Sequence, residues 1–349
     1  MAESDVAVTP LQPALLTRRT IIGLGLAAPT LAMPWLAGCS SGDPDVDTPA
    51  SAPSSVSESS PAVGRAPTPD ASASPSDPTA MGAASEQALG AFAAAILIGP
   101  QRKQLSKARR NLLTFLRNAH SAHARAIANP LPSQAPVSLD GRSLNGALSM
   151  LARRETAAAS RYRRTALQAA GSDALLWGSL SVASDTFARA IGAADPPRAR
   201  PIADQKPVEI LSDVAAVQEL VRQLHALVYG YQLAIGKMKV LSRQRSTAEQ
   251  ELLDQRIFRD RLIAWLRRRS VDVPAAEAAY VPSVVPRNTA TAGKLIMQMQ
   301  TALQPFCGLW LAAAGSQADR RQALSALAAA GNAARSWGAP LTGWPGWSS

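Results

Sequence analysis

Cysteine and histidine are scarce in this sequence, whose 349 residues contain two cysteines and three histidines. Two cysteines allow at most one disulfide, so a disulfide framework is excluded. Cys307 lies in an apolar run with no histidine near it in sequence, which is typical of a small buried hydrophobe rather than of a nucleophile. No Ser-His-Asp arrangement, Walker loop, dinucleotide fingerprint or Cys-x-x-Cys motif occurs. We therefore expect a protein without enzymatic activity and without a cofactor.

The N-terminal region lacks a convincing membrane span. Its apolar stretch runs only from Thr20 to Gly38, and a spanning helix needs about 20 residues. Pro29 and Pro34 interrupt the stretch, and each removes a backbone donor that lipid cannot replace. A transmembrane helix is the weaker of two interpretations, the other being an export signal.

Arg18 and Arg19 precede this stretch, and Leu36-Ala37-Gly38-Cys39 ends it. A charged region, a short apolar region and small residues before a cleavage point make a signal peptide. The ending resembles the lipobox of bacterial lipoproteins, in which the cysteine is acylated, and the paired arginines resemble a twin-arginine signal; the general export route is the alternative. This resemblance implies a signal peptide over residues 1–38 and a palmitate-type lipid anchor on Cys39. The protein would then lie on the extracytoplasmic side of the cell membrane.

Large apolar side chains are almost absent from residues 39–84, which are rich in Ser, Pro, Ala and Asp. Such a segment cannot bury enough surface to offset its ordering entropy, so we predict a disordered linker.

Lysine is rare as well, although the net charge is +11. Nearly all of the positive charge is arginine after residue 84, which either reflects a GC-rich genome or provides a basic surface for lipid headgroups or anionic envelope polymers. Nucleic acid is not an expected partner, because an exported protein seldom meets it.

Strand-like alternation is absent, whereas helical periodicity continues through the rest of the chain. We predict an all-α protein with eight helices, over residues 85–98, 102–128, 143–170, 172–192, 212–241, 247–269, 289–314 and 317–337. A proline-rich connector separates the first four helices from the last four, which favours two successive helical bundles over residues 85–194 and 212–338. A single eight-helix body is the alternative.

Three segments of the second half carry a family resemblance: residues 225–231, 256–262 and 336–338. They resemble a ferritin-like domain of actinobacteria that is known only as a domain of unknown function, and the resemblance covers residues 214–337. It implies a four-helix bundle with a long crossover between its second and third helices. The proline-bearing loop over residues 273–288 suits that crossover.

The ligands of a ferritin-type site are missing from this second half. A carboxylate di-metal site takes one Glu from each of two helices and a Glu-x-x-His pair from each of the other two. No histidine in the chain has Glu three residues before it, and residues 290–317 contain no Asp, Glu or His. A di-metal centre in the second bundle is therefore excluded.

His120 and His123 are one helical turn apart and are weak candidates for metal ligands. Two imidazoles are too few for a closed zinc site, although Glu155 and Asp185 could approach from the next two helices. The simpler interpretation is a histidine pair at the surface or near a helix end, and we predict no metal.

His225, Tyr229 and Gln232 share one face of a helix by their spacing. They either line a small ligand cavity or belong to the core. Trp344 and Trp347 in the C-terminal tail suit either a membrane interface or a tail that packs back on the helices. Together these features predict a lipid-anchored, non-enzymatic envelope protein that binds a ligand, an anionic polymer or another envelope protein. A degenerate ferritin-like metal-binding protein or enzyme is the alternative.

Overall fold

Helices make up almost all of the ordered structure in the described part of the chain. The computed structural model describes residues 77–131, 133, 137–139, 141–203, 205 and 208–348. The export arginines Arg18 and Arg19, the lipidation residue Cys39 and most of the predicted linker lie outside these residues. Within them there are eight α-helices and no strand, so the predicted all-α class is confirmed.

The helices are numbered α1 to α8 in chain order, and a short 3-10 helix over Pro100–Gln104 follows the first. Their bounds are Pro78–Ile98 (α1), Lys107–Ile127 (α2), Leu144–Gln168 (α3), Gly171–Gly192 (α4), Asp213–Ile235 (α5), Arg243–Arg267 (α6), Thr289–Ala313 (α7) and Gln317–Ser336 (α8).

Three helix starts differ from the sequence-based expectation because of capping residues. Helix α1 begins at Pro78 rather than Ser85, since the Asp77 carboxylate accepts a hydrogen bond from the Thr79 backbone amide at 2.9 Å and proline is favoured at the first helical position. The linker predicted over residues 39–84 is therefore too long at its C-terminal end. Helix α2 begins at Lys107 rather than at residue 102, since the Ser106 hydroxyl accepts a hydrogen bond from the Arg109 amide. Helix α6 begins after Ser242, whose hydroxyl accepts a hydrogen bond from the Arg245 amide, and not at residue 247 as predicted.

Helices from the two halves pack on each other. Helix α1 packs on α2 and α3, and α4 packs on α3 and α2; in the second half, α5 packs on α6 and α7, and α7 packs on α8. Helix α4 also contacts α7 and α8, and one hydrophobic core includes side chains of all eight helices. A division into two bundles, and a ferritin-like arrangement of the second, stay predictions.

The C-terminal tail, residues 337–348, packs back on the helices. Leu341 pairs with the connector between α4 and α5: its amide donates to the Arg198 carbonyl at 2.7 Å, and its carbonyl accepts from the Arg200 amide at 2.9 Å. Trp344 is 9% exposed and belongs to the hydrophobic core. Of the two interpretations of the tail tryptophans, the structure favours the tail that packs on the protein.

Helix α1 is, among the described residues, the one helix long and apolar enough to cross a membrane by length and composition. This is weak evidence for a span, because core helices of globular proteins pass the same test. Phe92, Ala93 and Ile96 of α1 are buried against other helices, which is the packing of a core helix.

Candidate functional site

Four ionisable side chains meet in the interior between α1, α2 and α3. Glu86 comes from α1, His120 and His123 from α2, and Glu155 from α3, and all four are completely buried. The spacing of three places both histidines on the same face of α2. Gly90 lies one turn after Glu86, and a Cβ atom there would be 3.3 Å from the His120 Cβ. The glycine therefore lets α1 approach α2 closely enough for the carboxylate to reach the histidines.

The His120 ring lies between two carboxylates. Its Nδ1 is 2.7 Å from Glu86 Oε2, and its Nε2 is 2.7 Å from Glu155 Oε1. Burial alone would lower the pKa of His120, but the charges of Glu155 and Glu86 outweigh it and raise the pKa to about 10. Burial would likewise raise the pKa of Glu86, but the two imidazoles hold it well below its usual range. Without a metal ion, the cluster is an internal ion network.

The His123 ring is oriented by the C-terminal tail. Its Nε2 is 2.8 Å from the Gly343 carbonyl oxygen, and its Nδ1 is 2.9 Å from Glu86 Oε2. A carbonyl can only accept, so Nε2 carries a proton and donates it. In the neutral ring, Nδ1 would then present a lone pair to a carboxylate oxygen. Two lone pairs that face each other repel, so a proton or a metal ion must lie between His123 Nδ1 and Glu86 Oε2.

Aromatic rings close the cluster on its other sides. Phe187 of α4 stacks on His123, with ring centroids 6.3 Å apart, and meets His120 edge-on at 5.7 Å. Trp344 of the tail lies 4.5 Å from the His123 ring. These walls keep water away from the four polar side chains, so their mutual electrostatic interactions are strong.

Hydrogen bonding in the cluster is incomplete. The second carboxylate oxygens, Glu86 Oε1 and Glu155 Oε2, are buried and have no hydrogen-bond partner. Tyr162 of α3 lies beside Glu86, and burial together with that negative charge raises the pKa of its hydroxyl well above the usual value. Buried polar atoms without partners are costly, and they tend to occur at functional sites.

The arrangement suits a metal ion. One ligand atom each from Glu86, His120 and His123 lies within 4.8 Å of the other two. Metal bonds near 2.0–2.2 Å place neighbouring ligand atoms of a tetrahedral site roughly 3.4 Å apart. The 2.7 Å and 2.9 Å separations between Glu86 Oε2 and the two Nδ1 atoms must therefore widen by about half an ångström to admit an ion. The rings can move only slightly, because their Nε2 atoms are held by Glu155 and Gly343.

The ligand set is that of a single ion rather than of a pair. Carboxylate di-metal sites draw ligands from all four helices of a bundle, including two Glu-x-x-His pairs. Here α1 and α3 each supply one Glu, and α2 supplies His120 and His123 at the Glu-x-x-His spacing. On α4 the buried residues Ser184 and Phe187 have that spacing, so α4 provides neither carboxylate nor imidazole at this place.

Two sequence-based interpretations of this region are wrong. His120 and His123 are buried, so they do not lie at the surface, although they do lie near the C-terminal end of α2. Asp185 does not approach them, because it is half-exposed and forms an ion pair with Arg189. Glu155 does approach, as considered, whereas Glu86 was missed. A signal was available, since Glu86 is the only acidic residue in the apolar helix α1 and Glu155 the only one in α3.

The residues predicted to line a cavity on α5 separate in the structure. His225 is half-buried and its Nε2 lies 3.2 Å from the Pro274 carbonyl, while burial lowers its pKa. Gln232 is exposed. Tyr229 alone of the three lines a small, mostly apolar cavity between α5 and α7, where it packs against Tyr280.

Comparison with known proteins assigns part of the second half. Residues 216–349 match the family described as Domain of unknown function (DUF4439), which confirms a domain of unknown function in this region; its ferritin-like character stays a prediction. No curated protein shows significant similarity to the chain. No solved structure does so either. Glu86, His120, His123 and Glu155 lie before the matched region, whereas Gly343 and Trp344 lie within it.

Proposed function

We propose that the protein is a lipid-anchored protein of the extracytoplasmic face, and that its helical body binds one divalent transition-metal ion through Glu86, His120 and His123. The observation that supports this proposal most directly is the convergence of both Nδ1 atoms on Glu86 Oε2. The sequence features at Arg18, Arg19 and Cys39 support the location.

The partners of the Nε2 atoms support metal binding independently. Metal-ligating histidines usually donate their other ring N–H to a carboxylate or a backbone carbonyl, which fixes the tautomer and the ring orientation. The Glu155 carboxylate is the Nε2 partner of His120, and the Gly343 carbonyl is the Nε2 partner of His123. Both rings are thus held with Nδ1 directed at the same carboxylate. Two imidazoles and one carboxylate suit Zn²⁺, Fe²⁺ or Mn²⁺.

A purely structural ion network is the competing explanation. Buried ion networks rarely stabilise a fold more than apolar residues of similar volume would. Stability alone therefore does not explain why four ionisable side chains occupy this part of the core. We therefore favour the explanation in which the cluster is retained for a ligand.

Binding rather than catalysis is the role that the burial supports. The ligand side chains have no exposed surface, and Phe187 and Trp344 lie between them and the outside. A substrate therefore has no path to the ion in this conformation. The basic character of the chain supports anionic envelope polymers, or another envelope protein, as additional partners.

Metal titration of the full-length mature protein tests the proposal. After chelation and dialysis, isothermal titration calorimetry with Zn²⁺, Mn²⁺ and anaerobic Fe²⁺ should show one ion per chain for at least one of these metals. Co²⁺ should give visible absorption bands of a low-symmetry site. The isosteric change Glu86→Gln and the change His123→Gln should each weaken binding by at least about tenfold.

The matched control is His225→Gln, which removes a histidine outside the cluster and should leave the affinity within about twofold of the parent. Circular dichroism establishes that each variant is helical. If the parent binds no ion, or if His225→Gln is as damaging as His123→Gln, the metal proposal is wrong. Oxidation of Fe²⁺ in air beyond one equivalent per chain would instead mark the protein as an enzyme.

A further inference from the structure

A second cavity lies beneath the C-terminal tail, between the tail and helices α4, α7 and α8. Its volume is about 80 Å³, enough for roughly six water molecules or for one small ion of several atoms. The polar residues at its wall include Thr186, Arg200, Gln304 and Arg335, and Trp344 and Trp347 of the tail form one side.

The charged residues that line this cavity are all positive. Arg200 and Arg335 are the charged residues among the lining side chains, which include no Asp, Glu or His. The Arg200 guanidinium has no hydrogen-bond partner among the described residues. Arg335 is half-buried, and its bonds to the Thr186 carbonyl and to Asn332 Oδ1 are long, at 3.4 Å each. Its Nε is buried without a partner, so the guanidinium has donor capacity to spare.

Gln304 of α7 is the feature that points most directly to a ligand. Its side chain is 8% exposed, lines the cavity, and makes no hydrogen bond with any described residue. The Thr186 hydroxyl on the facing wall is in the same condition, at 7% exposed. Neither group is engaged by a side chain or by the backbone of any described residue, so both can bond to a polar molecule that occupies the cavity.

We propose that this cavity binds a small oxyanion, held by Arg335 and Arg200 with Gln304 and Thr186 as neutral donors. Guanidinium groups bind two oxygens of a carboxylate or phosphate through paired N–H donors. Among the described residues, no Asp or Glu lines the cavity, and the nearby Asp185 is paired with Arg189. Phosphate and short carboxylates share this chemistry, and the cavity size suits both.

The experiment is a calorimetric titration of the full-length mature protein, kept free of metal with chelator. Inorganic phosphate and succinate are the two probes, at constant ionic strength set with chloride. We expect saturable binding of one anion per chain by at least one probe, and the probe that binds identifies the source. Arg335→Gln and Gln304→Leu should each weaken that binding by at least about tenfold.

Arg153→Gln is the matched control, because Arg153 is exposed on α3 and the change removes the same charge. It should alter the affinity by less than about twofold. If Arg335→Gln does not fold, Arg200→Gln replaces it, since Arg200 is exposed and its side chain forms no hydrogen bond or ion pair with a described residue. No saturable binding by the parent, or equal losses in the control and cavity variants, would overturn the proposal. Because the protein is metal-free, this result is independent of whether Glu86, His120 and His123 bind a metal.

Discussion

The Nε2 atom of His123 lies 2.8 Å from the carbonyl oxygen of Gly343, although 220 positions separate the two residues in the chain. One belongs to α2 and the other to the tail of the region that matches the family of unknown function. The tail therefore fixes the tautomer of a histidine in the first half. The proposed metal site is complete only when both halves are folded together.

Gly308 provides a way to test this dependence on the tail. A Cβ atom at Gly308 would be 2.1 Å from the Gly346 carbonyl oxygen, a contact that only movement of the tail can relieve. We expect Gly308→Ala to lower the free energy of unfolding by about 1–3 kcal/mol, as overpacking does. Metal affinity should fall too, because Gly343 moves with the tail. Thermal unfolding and metal titration provide the measurements.

Gly315→Ala is the control for this change, since a Cβ atom there meets nothing within 4 Å. It should leave both the melting temperature and the metal affinity as they are in the parent. Equal behaviour of the two alanine variants would show that the tail does not press on α7 as described.

A separate polar network joins α5, α6 and α7. The Tyr231 hydroxyl donates to Glu251 Oε2 at 2.9 Å and accepts from the Gln300 amide at 2.8 Å. We expect Tyr231→Phe to lower the free energy of unfolding by about 1–3 kcal/mol, because Gln300 is buried and loses its partner. Tyr229→Phe is the comparison, since the Tyr229 hydroxyl makes no hydrogen bond among the described residues, and it should cost less than about 0.5 kcal/mol. Chemical denaturation measures both, and a similar loss in both variants would contradict the network.

Cys307 should be chemically inert in the folded protein. The structure confirms the prediction of a buried hydrophobe: the side chain has no exposed surface, and burial raises the pKa of its thiol to about 12. At pH 8 the reactive thiolate is therefore scarce as well as inaccessible. In a Cys39→Ala protein, we expect alkylation by iodoacetamide at pH 8 to be at least about a hundredfold slower under native conditions than in guanidinium. Rapid native labelling would show that α7 opens readily.

The helices could be predicted from sequence far better than the site could. Ser143 and Ser212 were expected at helix starts and do cap α3 and α5, because capping depends on neighbours three residues away. The meeting of Glu86 with His120 depends on how α1 packs on α2, which no local pattern encodes. The one available signal was that Glu86 is the single carboxylate of an apolar helix, and a carboxylate buried with such a helix needs a partner in the protein interior.

The lipid anchor is testable by fractionation. We expect Cys39→Ala either to release the protein from membranes or to leave an unprocessed precursor, because stable anchoring needs more than one acyl chain and this residue would carry them. Immunoblots of membrane and soluble fractions show the outcome. Changing Arg18 and Arg19 together to lysine should block export only if the twin-arginine route is used. A Cys39→Ala protein that fractionates and migrates like the parent would contradict the anchor.

Glu86 also affects the free energy of inserting α1 into a membrane. It lies near the middle of a 21-residue helix that is otherwise apolar enough to span a bilayer. A charged side chain at the centre of a spanning helix costs about 2.5–3.5 kcal/mol on insertion scales. The carboxylate that pairs with His120 and His123 thus also disfavours the insertion of α1 into lipid. Replacing it with leucine would remove a ligand and, in the same step, create a sequence that the export machinery can read as a stop-transfer segment.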